Sequence, residues 1–358
     1  MNGLLWHLAG PRLLLARVGD ALTEGRSVVI VSGQSGFQRQ VGVQFAGALL
    51  DLGIPTTILP GTNGMTPMDE LLVATNTVTP KSRSVRDFCE RNPRRVFVVN
   101  PDDSARGREW HAFLLEFQHS ARQCAPSERA TILLTREVSD GEGSQGSEVA
   151  LSCFCWDEAI TRPDVEALAQ ATIPGALTHG TLRRILARTV AEIALSDLAL
   201  AVDLCGLSKA ELAMPHGALL RLAAAGGWSM ENLPPKIWIE GKRHPHPLAV
   251  ALANDGRRQI WQLIWEAQAG ILLPWVEHYR RRYLPAVARY LPANNRDGLP
   301  RDEFEVGTIA HFLRTFRPSD RHLLLFERLR EVRNSMAHCE PLPYDRLHAC
   351  IAFVEGFK

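Results

Sequence analysis

The first 160 residues alternate short apolar runs with amphipathic stretches. The runs lack polar alternation and are bounded by glycine, proline or polar residues, which is typical of strands buried on both faces. They predict strands at residues 28–31, 56–59, 96–99, 131–134 and 149–154. Helical periodicity predicts helices at 12–22, 41–52 and 109–122. This order of strand and helix indicates a parallel sheet in a three-layer α/β domain.

Beyond residue 160 the apolar positions recur at helical spacing. Residues 163–227 are predicted to be helical, and within them Ser208 and Glu211 form a capping signal after a turn. Residues 233–247 are rich in proline and predict a linker. The later helices are predicted at 257–283, 303–316, 321–338 and 344–357. The sequence therefore predicts an α/β domain at 1–160, a helical lid or connector at 161–235 and an all-helical domain at 236–358.

Composition fits a globular protein of two or three domains. The chain has 358 residues, 46% of them apolar, and its net charge is +1. That sum hides two halves: residues 1–235 hold 21 basic and 25 acidic side chains, whereas 236–358 hold 19 and 14. Seven of the twelve histidines also lie in the second half. A basic helical half permits an RNA partner.

Membrane and metal signals are weak along the chain. The N-terminal residues lack the basic region of a signal peptide, and we expect no membrane span, so the prediction is a cytoplasmic protein. Seven cysteines, an odd number, fit reduced thiols. Cys153 and Cys155 are predicted to be buried strand thiols, and His244 and His246 to be solvated, so no metal site is expected.

A glycine-rich loop follows the first predicted strand and opens a helix. Gly33, Ser35 and Gly36 lie where a phosphate-binding loop has its first glycine and interior residues. Arg39 replaces the usual lysine. Gln38 and Gln40 replace the second glycine and the magnesium-binding hydroxyl. The region resembles a degenerate P-loop NTPase domain.

The acidic residues that would bind magnesium in such a site are also displaced along the sequence. Asp102 and Asp103 follow the predicted strand 96–99 two residues later than a magnesium-binding acid should. We therefore expect no ATP hydrolysis. ATP or another nucleotide can still be bound, because Arg39 offers a phosphate partner.

The most specific motif lies near the end of the chain. Arg333, Asn334 and His338, late in an all-helical region, form an R-N-x-x-x-H pattern. This pattern resembles the signature of HEPN domains, over residues 235–358. The resemblance implies a metal-independent ribonuclease that needs no cofactor, with His338 as general acid/base, Arg333 as phosphate binder and Asn334 as auxiliary.

Helical geometry limits this site within one chain. At about 100° per residue, Arg333 and His338 diverge by about 140° unless the helix ends near Ala337. The HEPN resemblance implies a homodimer through the C-terminal domain, in which two motifs share one cleft. The alternative is an inert pair, with Arg333 bound to Glu331 or Glu340 and His338 acting as a helix-terminal cation.

A basic cluster lies in the long predicted helix. Arg280, Arg281 and Arg282, flanked by Tyr279 and Tyr283, form either an RNA-backbone patch or a solvated helix end. With the HEPN motif, this favours an RNA-cleaving effector similar to prokaryotic toxin and anti-phage defence proteins, regulated by the degenerate nucleotide domain. The alternative is a non-catalytic nucleotide-binding or scaffolding subunit that binds partner proteins of a defence operon.

Overall fold

A computed structural model of the chain resolves two compact units. It describes residues 5–32, 37–59, 61, 64–76, 84–101, 103–137, 151–174, 179–239, 242–294 and 298–357, without the side chains of 37–40 and 238. The first unit comprises Met1–Asp164 and Pro235–His246, and the second comprises Val165–Pro234 and Pro247–Lys358.

The described part of the first unit contains a parallel sheet of five strands in the order β2-β3-β4-β1-β5. The strands are β1 (Val28–Ser32), β2 (Thr56–Leu59), β3 (Val96–Val99), β4 (Thr131–Glu137) and β5 (Ser152–Cys155). The predicted parallel sheet is confirmed, and its strands coincide with the apolar runs. Only β5 begins later than predicted.

Helices cover both faces of this sheet. Phe97 and Val99 face one core, and Val96 and Val98 point the opposite way, yet all four are at most 1% exposed. The helices of this unit are α1 (Ala9–Thr23), α2 (Phe37–Asp51), α3 (Pro67–Ala74), α4 (Val85–Arg91), α5 (Ser104–Ala121) and α6 (Trp156–Ala159). Residues of α3, α4 and α5 fill one core, while α1 and α2 contact the sheet from the other side. The predicted three layers are therefore present.

Helix α2 packs closely on the residue that follows β3. A Cβ atom added to Gly42 would lie 1.6 Å from Oδ1 of Asn100. That oxygen accepts a hydrogen bond from Oγ1 of Thr135, at 2.8 Å. Because Asn100 is held by β4, it cannot retreat from α2 without losing this bond. Position 42 therefore requires glycine, because the backbone of α2 lies directly against the side chain of Asn100.

Alanine substitutions at two glycines of α2 should have opposite effects on the free energy of unfolding. We expect Gly42→Ala to lower the free energy of unfolding by about 1–3 kcal/mol through overpacking. A Cβ on Gly47 meets nothing within 4 Å, so Gly47→Ala should raise it by about 0.5–1 kcal/mol through helix propensity. Urea unfolding of both variants measures the difference, and equal effects would contradict the packing of Asn100 on α2.

The regular elements described in the second unit are helices. Its helices are α7 (Arg162–Thr172, which begins at the unit boundary), α8 (Gly180–Ala194), α9 (Leu198–Cys205), α10 (Lys209–Ala213), α11 (His216–Ala225), α12 (Pro247–Leu252), α13 (Gly256–Val287), α14 (Val306–Phe316), α15 (Arg321–Ala337) and α16 (Tyr344–Glu355). The predicted capping box of Ser208 and Glu211 opens α10. Helix α13 runs four residues beyond its predicted end, through Pro285.

One core joins the C-terminal helices to part of the predicted connector. Leu182 and Ile185 of α8 are fully buried with Leu272 of α13 and Leu329 of α15. The segment 161–235 thus packs largely with the C-terminal helices, which differs from a separate lid. The units so defined hold 19 basic and 20 acidic side chains in the first and 21 and 19 in the second. The charge asymmetry of the predicted halves shrinks accordingly.

Three elements differ from the sequence prediction. Helices α3 and α4 lie in a stretch where the sequence analysis predicted no helix. Their N-caps are Thr66 and Ser84, and these residue types could have indicated the two helix starts. The predicted linker contains an antiparallel hairpin of β6 (Ile237–Ile239) and β7 (Lys242–His244), which belongs to the first unit. Its strands are too short for a periodicity signal. None of the described helices has the length and apolarity to cross a bilayer.

Candidate functional site

The motif-bearing helix α15 ends within the motif. His338 is the C-cap residue, and Cys339 follows with a left-handed backbone at φ 57°. The N–H of Glu340 donates to the carbonyl of Ser335 at 2.9 Å, and that of Cys339 to the carbonyl of Met336 at 3.3 Å. These two bonds form a Schellman termination, with cysteine in the position that glycine usually takes. The helix therefore ends at Ala337. The divergence of about 140° was expected only if the helix continued past this residue, so His338 need not follow the helical spacing.

Two side chains of α13 hold the end of α15 and the loop after it. Nε1 of Trp265 donates to the carbonyl of Met336 at 2.8 Å. The fully buried Gln268 donates from Nε2 to the carbonyl of Leu342 at 2.9 Å and accepts from the Leu342 N–H at 2.7 Å. His338 lies in the sequence between Met336 and Leu342, whose backbone groups are both bonded by α13, so α13 positions the backbone of His338.

Asn334 and His338 lie together in an exposed cleft of about 590 Å³ along α15. They are one helical turn apart and therefore on the same face. The cleft is polar, since its lining includes Arg328, Arg330 and Glu331. An amide and an imidazole side by side in an open polar cleft can bind and protonate a phosphodiester.

Arg333 does not line this cleft. Its Nη2 donates to both carboxylate oxygens of Glu305, at 2.9 and 3.1 Å. The two side chains are 40% and 65% exposed, and an exposed pair of this kind contributes at most about 1 kcal/mol. The structure thus brings Asn334 and His338 together and leaves Arg333 on another face. Its acidic partner is Glu305, not Glu331 or Glu340.

Arg330 is a residue that the motif did not point to. It lines the cleft with Asn334 and His338, and within the described residues its guanidinium has neither an ion pair nor a hydrogen bond. Other cations nearby are neutralised, because Arg328 pairs with Glu331 at 3.0 Å and Arg314 with Glu327 at 2.6 Å. The four-residue spacing 330–334–338 was the sequence signal for a shared face.

The three consecutive arginines of α13 differ in accessibility. The side chain of Arg280 is 11% exposed, and its guanidinium binds Glu277 and donates to the carbonyl oxygens of residues 302 and 304 at 2.8 and 3.1 Å. Hydrogen bonds from Arg280, and then from Arg281, lower the pKa of Glu277 to about 2. Arg281 is 75% exposed, and Arg282 lies over the ring of Tyr283. An RNA at this surface would meet Arg281 and Arg282 before Arg280.

The predicted phosphate-binding residues lie largely outside the described residues. These are Gly33, Ser35, Gly36, Asp102 and the side chain of Arg39. Asp103 is the N-cap of α5, where its carboxylate accepts from the N–H of Arg106 at 2.7 Å. Its local role is therefore to begin a helix.

Polar side chains meet at the carboxyl edge of the sheet. Oγ of Ser32, at the end of β1, donates to Oδ1 of Asp157 at 2.7 Å, and both residues are 1% exposed. Thr135 at β4 bonds Asn100 after β3. Strands β1 and β4 are neighbours, but the connection from β1 to β2 and the connection from β4 to β5 run in opposite directions across the sheet. The carboxyl ends of β1 and β4 therefore form a topological switch point. In such sheets this crevice is the usual place for a ligand.

The cysteine and histidine expectations need correction. Cys153 is exposed, because β5 is an edge strand, whereas burial raises the pKa of the neighbouring Cys155 thiol to about 12. His246 was expected to be solvated but is only 7% exposed. Among the described residues, no three acidic, histidine or cysteine side chains are grouped to hold a metal ion.

No protein-family model matches the chain, and no curated protein or solved structure is significantly similar to it.

Proposed function

We propose that this protein is a metal-independent endoribonuclease of the HEPN type, with its site at the C-terminal end of α15. The observation that carries the proposal is the exposed cleft lined by Asn334, His338 and Arg330, whose guanidinium pairs with none of the described residues. In this proposal His338 is the general acid/base and Asn334 orients the phosphate. Arg333 and Arg330 supply positive charge.

The chemistry requires only groups of these types. The ribose 2′-OH attacks the adjacent phosphorus, the bond to the 5′-oxygen breaks, and a 2′,3′-cyclic phosphate forms. One group removes the proton of the 2′-OH and another protonates the leaving oxygen, which an imidazole can do near neutral pH. A guanidinium stabilises the charge that develops on the phosphate.

Arg333 is available to such a site at small cost. Its pair with Glu305 is exposed, so exchanging the carboxylate for an RNA phosphate sacrifices at most about 1 kcal/mol. Because Arg333 does not line the cleft that holds His338 of the same chain, we infer that the arginine of one copy serves the histidine of its partner in a homodimer.

For the first unit we propose a regulatory nucleotide-binding role without hydrolysis. The switch point at β1 and β4 and the glycine-rich loop between β1 and α2 support the P-loop-like assignment. Asn100, a neutral amide, follows β3 where a magnesium-binding acid would be expected, and Asp103 is engaged as a helix cap. These two features argue against ATPase chemistry.

Cleavage of total RNA by the purified full-length protein in excess EDTA tests the proposal. We expect cleavage, with product ends that carry a 2′,3′-cyclic phosphate or a 3′-phosphate. Absence of cleavage, or cleavage that EDTA abolishes, would contradict it. An inactive but stably dimeric protein would favour the scaffolding function instead.

A further inference from the structure

A second cavity lies in the helical unit, between the first turns of α11 and α13. Its volume is about 380 Å³, within the range of small-molecule sites. Its walls are formed by Met214, Ile260, Trp261 and Ile264. A cavity of this size with apolar walls excludes water from one face of a flat ligand.

The spacing of the α13 residues explains the shape of the cavity. Positions 257, 260, 261 and 264 fall on one face of the helix. Ile260 and Ile264 are almost fully buried and form the floor, whereas Trp261 remains 36% exposed. A partly exposed indole that lines a cavity beside buried aliphatic side chains can stack on an aromatic ring.

The lining contains two polar side chains. Arg257 and His216 line the cavity, and the structure's described residues provide no ion pair or hydrogen bond to either side chain. Helix α11 begins at His216 after Pro215, which provides no side-chain cap, so N–H groups of its first turn lack that partner. Gly217, the second residue of α11, also lines the cavity. A cation beside a helix N-terminus favours an acidic group.

We propose that this cavity binds a planar aromatic anion. The ring lies on Trp261 over the two isoleucines, and the acidic group pairs with Arg257. A neutral ring would not form the ion pair with the guanidinium, and an aliphatic acid would lose the stacking on the indole. This site is separate from the motif of α15 and does not depend on the ribonuclease proposal.

Calorimetric titration of the full-length protein with indole-3-acetate and its neutral analogue indole-3-acetamide tests the site. We expect the acetate to bind about 5-fold more tightly, which is the most that an ion pair with an exposed arginine contributes. Arg257→Gln should abolish this preference. Arg258→Gln, which changes the charge by the same amount at the next, exposed residue, should preserve it. Trp261→Ala should weaken both ligands.

A parallel titration with AMP and adenosine distinguishes the acid. A preference for AMP that Arg257→Gln abolishes supports the site and assigns the acidic group to a phosphate. Circular dichroism of each variant checks that the helices remain folded. The proposal is overturned when neither anion binds more tightly than its neutral analogue, or when Arg257→Gln and Arg258→Gln have the same effect.

Discussion

We expect His338→Ala to lower the rate of RNA cleavage by about 10²- to 10⁴-fold, the usual contribution of a general acid or base. The side chain is exposed at the end of α15 and makes no hydrogen bond with the described residues, so its removal should leave the free energy of unfolding nearly unchanged. The loss would therefore report chemistry and not folding.

A matched control is available on the neighbouring helix. His311 of α14 is also exposed, and its ring contacts only Phe312 among the described residues. His311→Ala should cleave RNA at the wild-type rate in single-turnover assays with EDTA. Retention of activity in His338→Ala, or an equal loss in both variants, would remove His338 from the mechanism.

The second large effect concerns the clamp between α13 and the loop after α15. Gln268→Ala should lower the free energy of unfolding by about 2–4 kcal/mol, because it leaves the buried N–H and carbonyl of Leu342 without partners. Gln262→Ala, on the same helix, removes only an exposed bond to Glu266 and should cost less than about 0.5 kcal/mol.

Urea unfolding monitored by circular dichroism measures both values. A loss below about 1 kcal/mol for Gln268→Ala would mean that the loop after α15 is not held by this clamp. The position of His338 would then need another cause, since Trp265 fixes only the last turn of the helix.

Local signals in the sequence were sufficient for the regular elements. The apolar runs located β1 to β4 within a few residues, because strands buried on both faces need an unbroken apolar series. The capping signal of Ser208 and Glu211 similarly marked the start of α10. The exposure of Cys153 was missed because the edge position of β5 follows from strand order, which no local pattern encodes.

The geometry of the candidate site depends on distant contacts. The partner of Gln268 is 74 residues away, and the partner of Arg333 is 28 residues away, at the N-cap of α14. Neither pairing has a sequence signal. The four-residue spacing of Arg330, Asn334 and His338 could have indicated a shared helix face. The R-N-x-x-x-H pattern, in contrast, contains Arg333.

Mixed dimers test the central claim most directly, namely that two copies share the site. Arg333→Ala and His338→Ala chains with different tags are co-expressed, and the heterodimer is purified. In a two-fold dimer one of the two pairs of arginine and partner histidine is then wild type, so we expect about half of the wild-type cleavage rate, although each variant alone is inactive. A heterodimer as inactive as its parents, or a wild-type protein that is monomeric while cleaving RNA, would contradict the shared site.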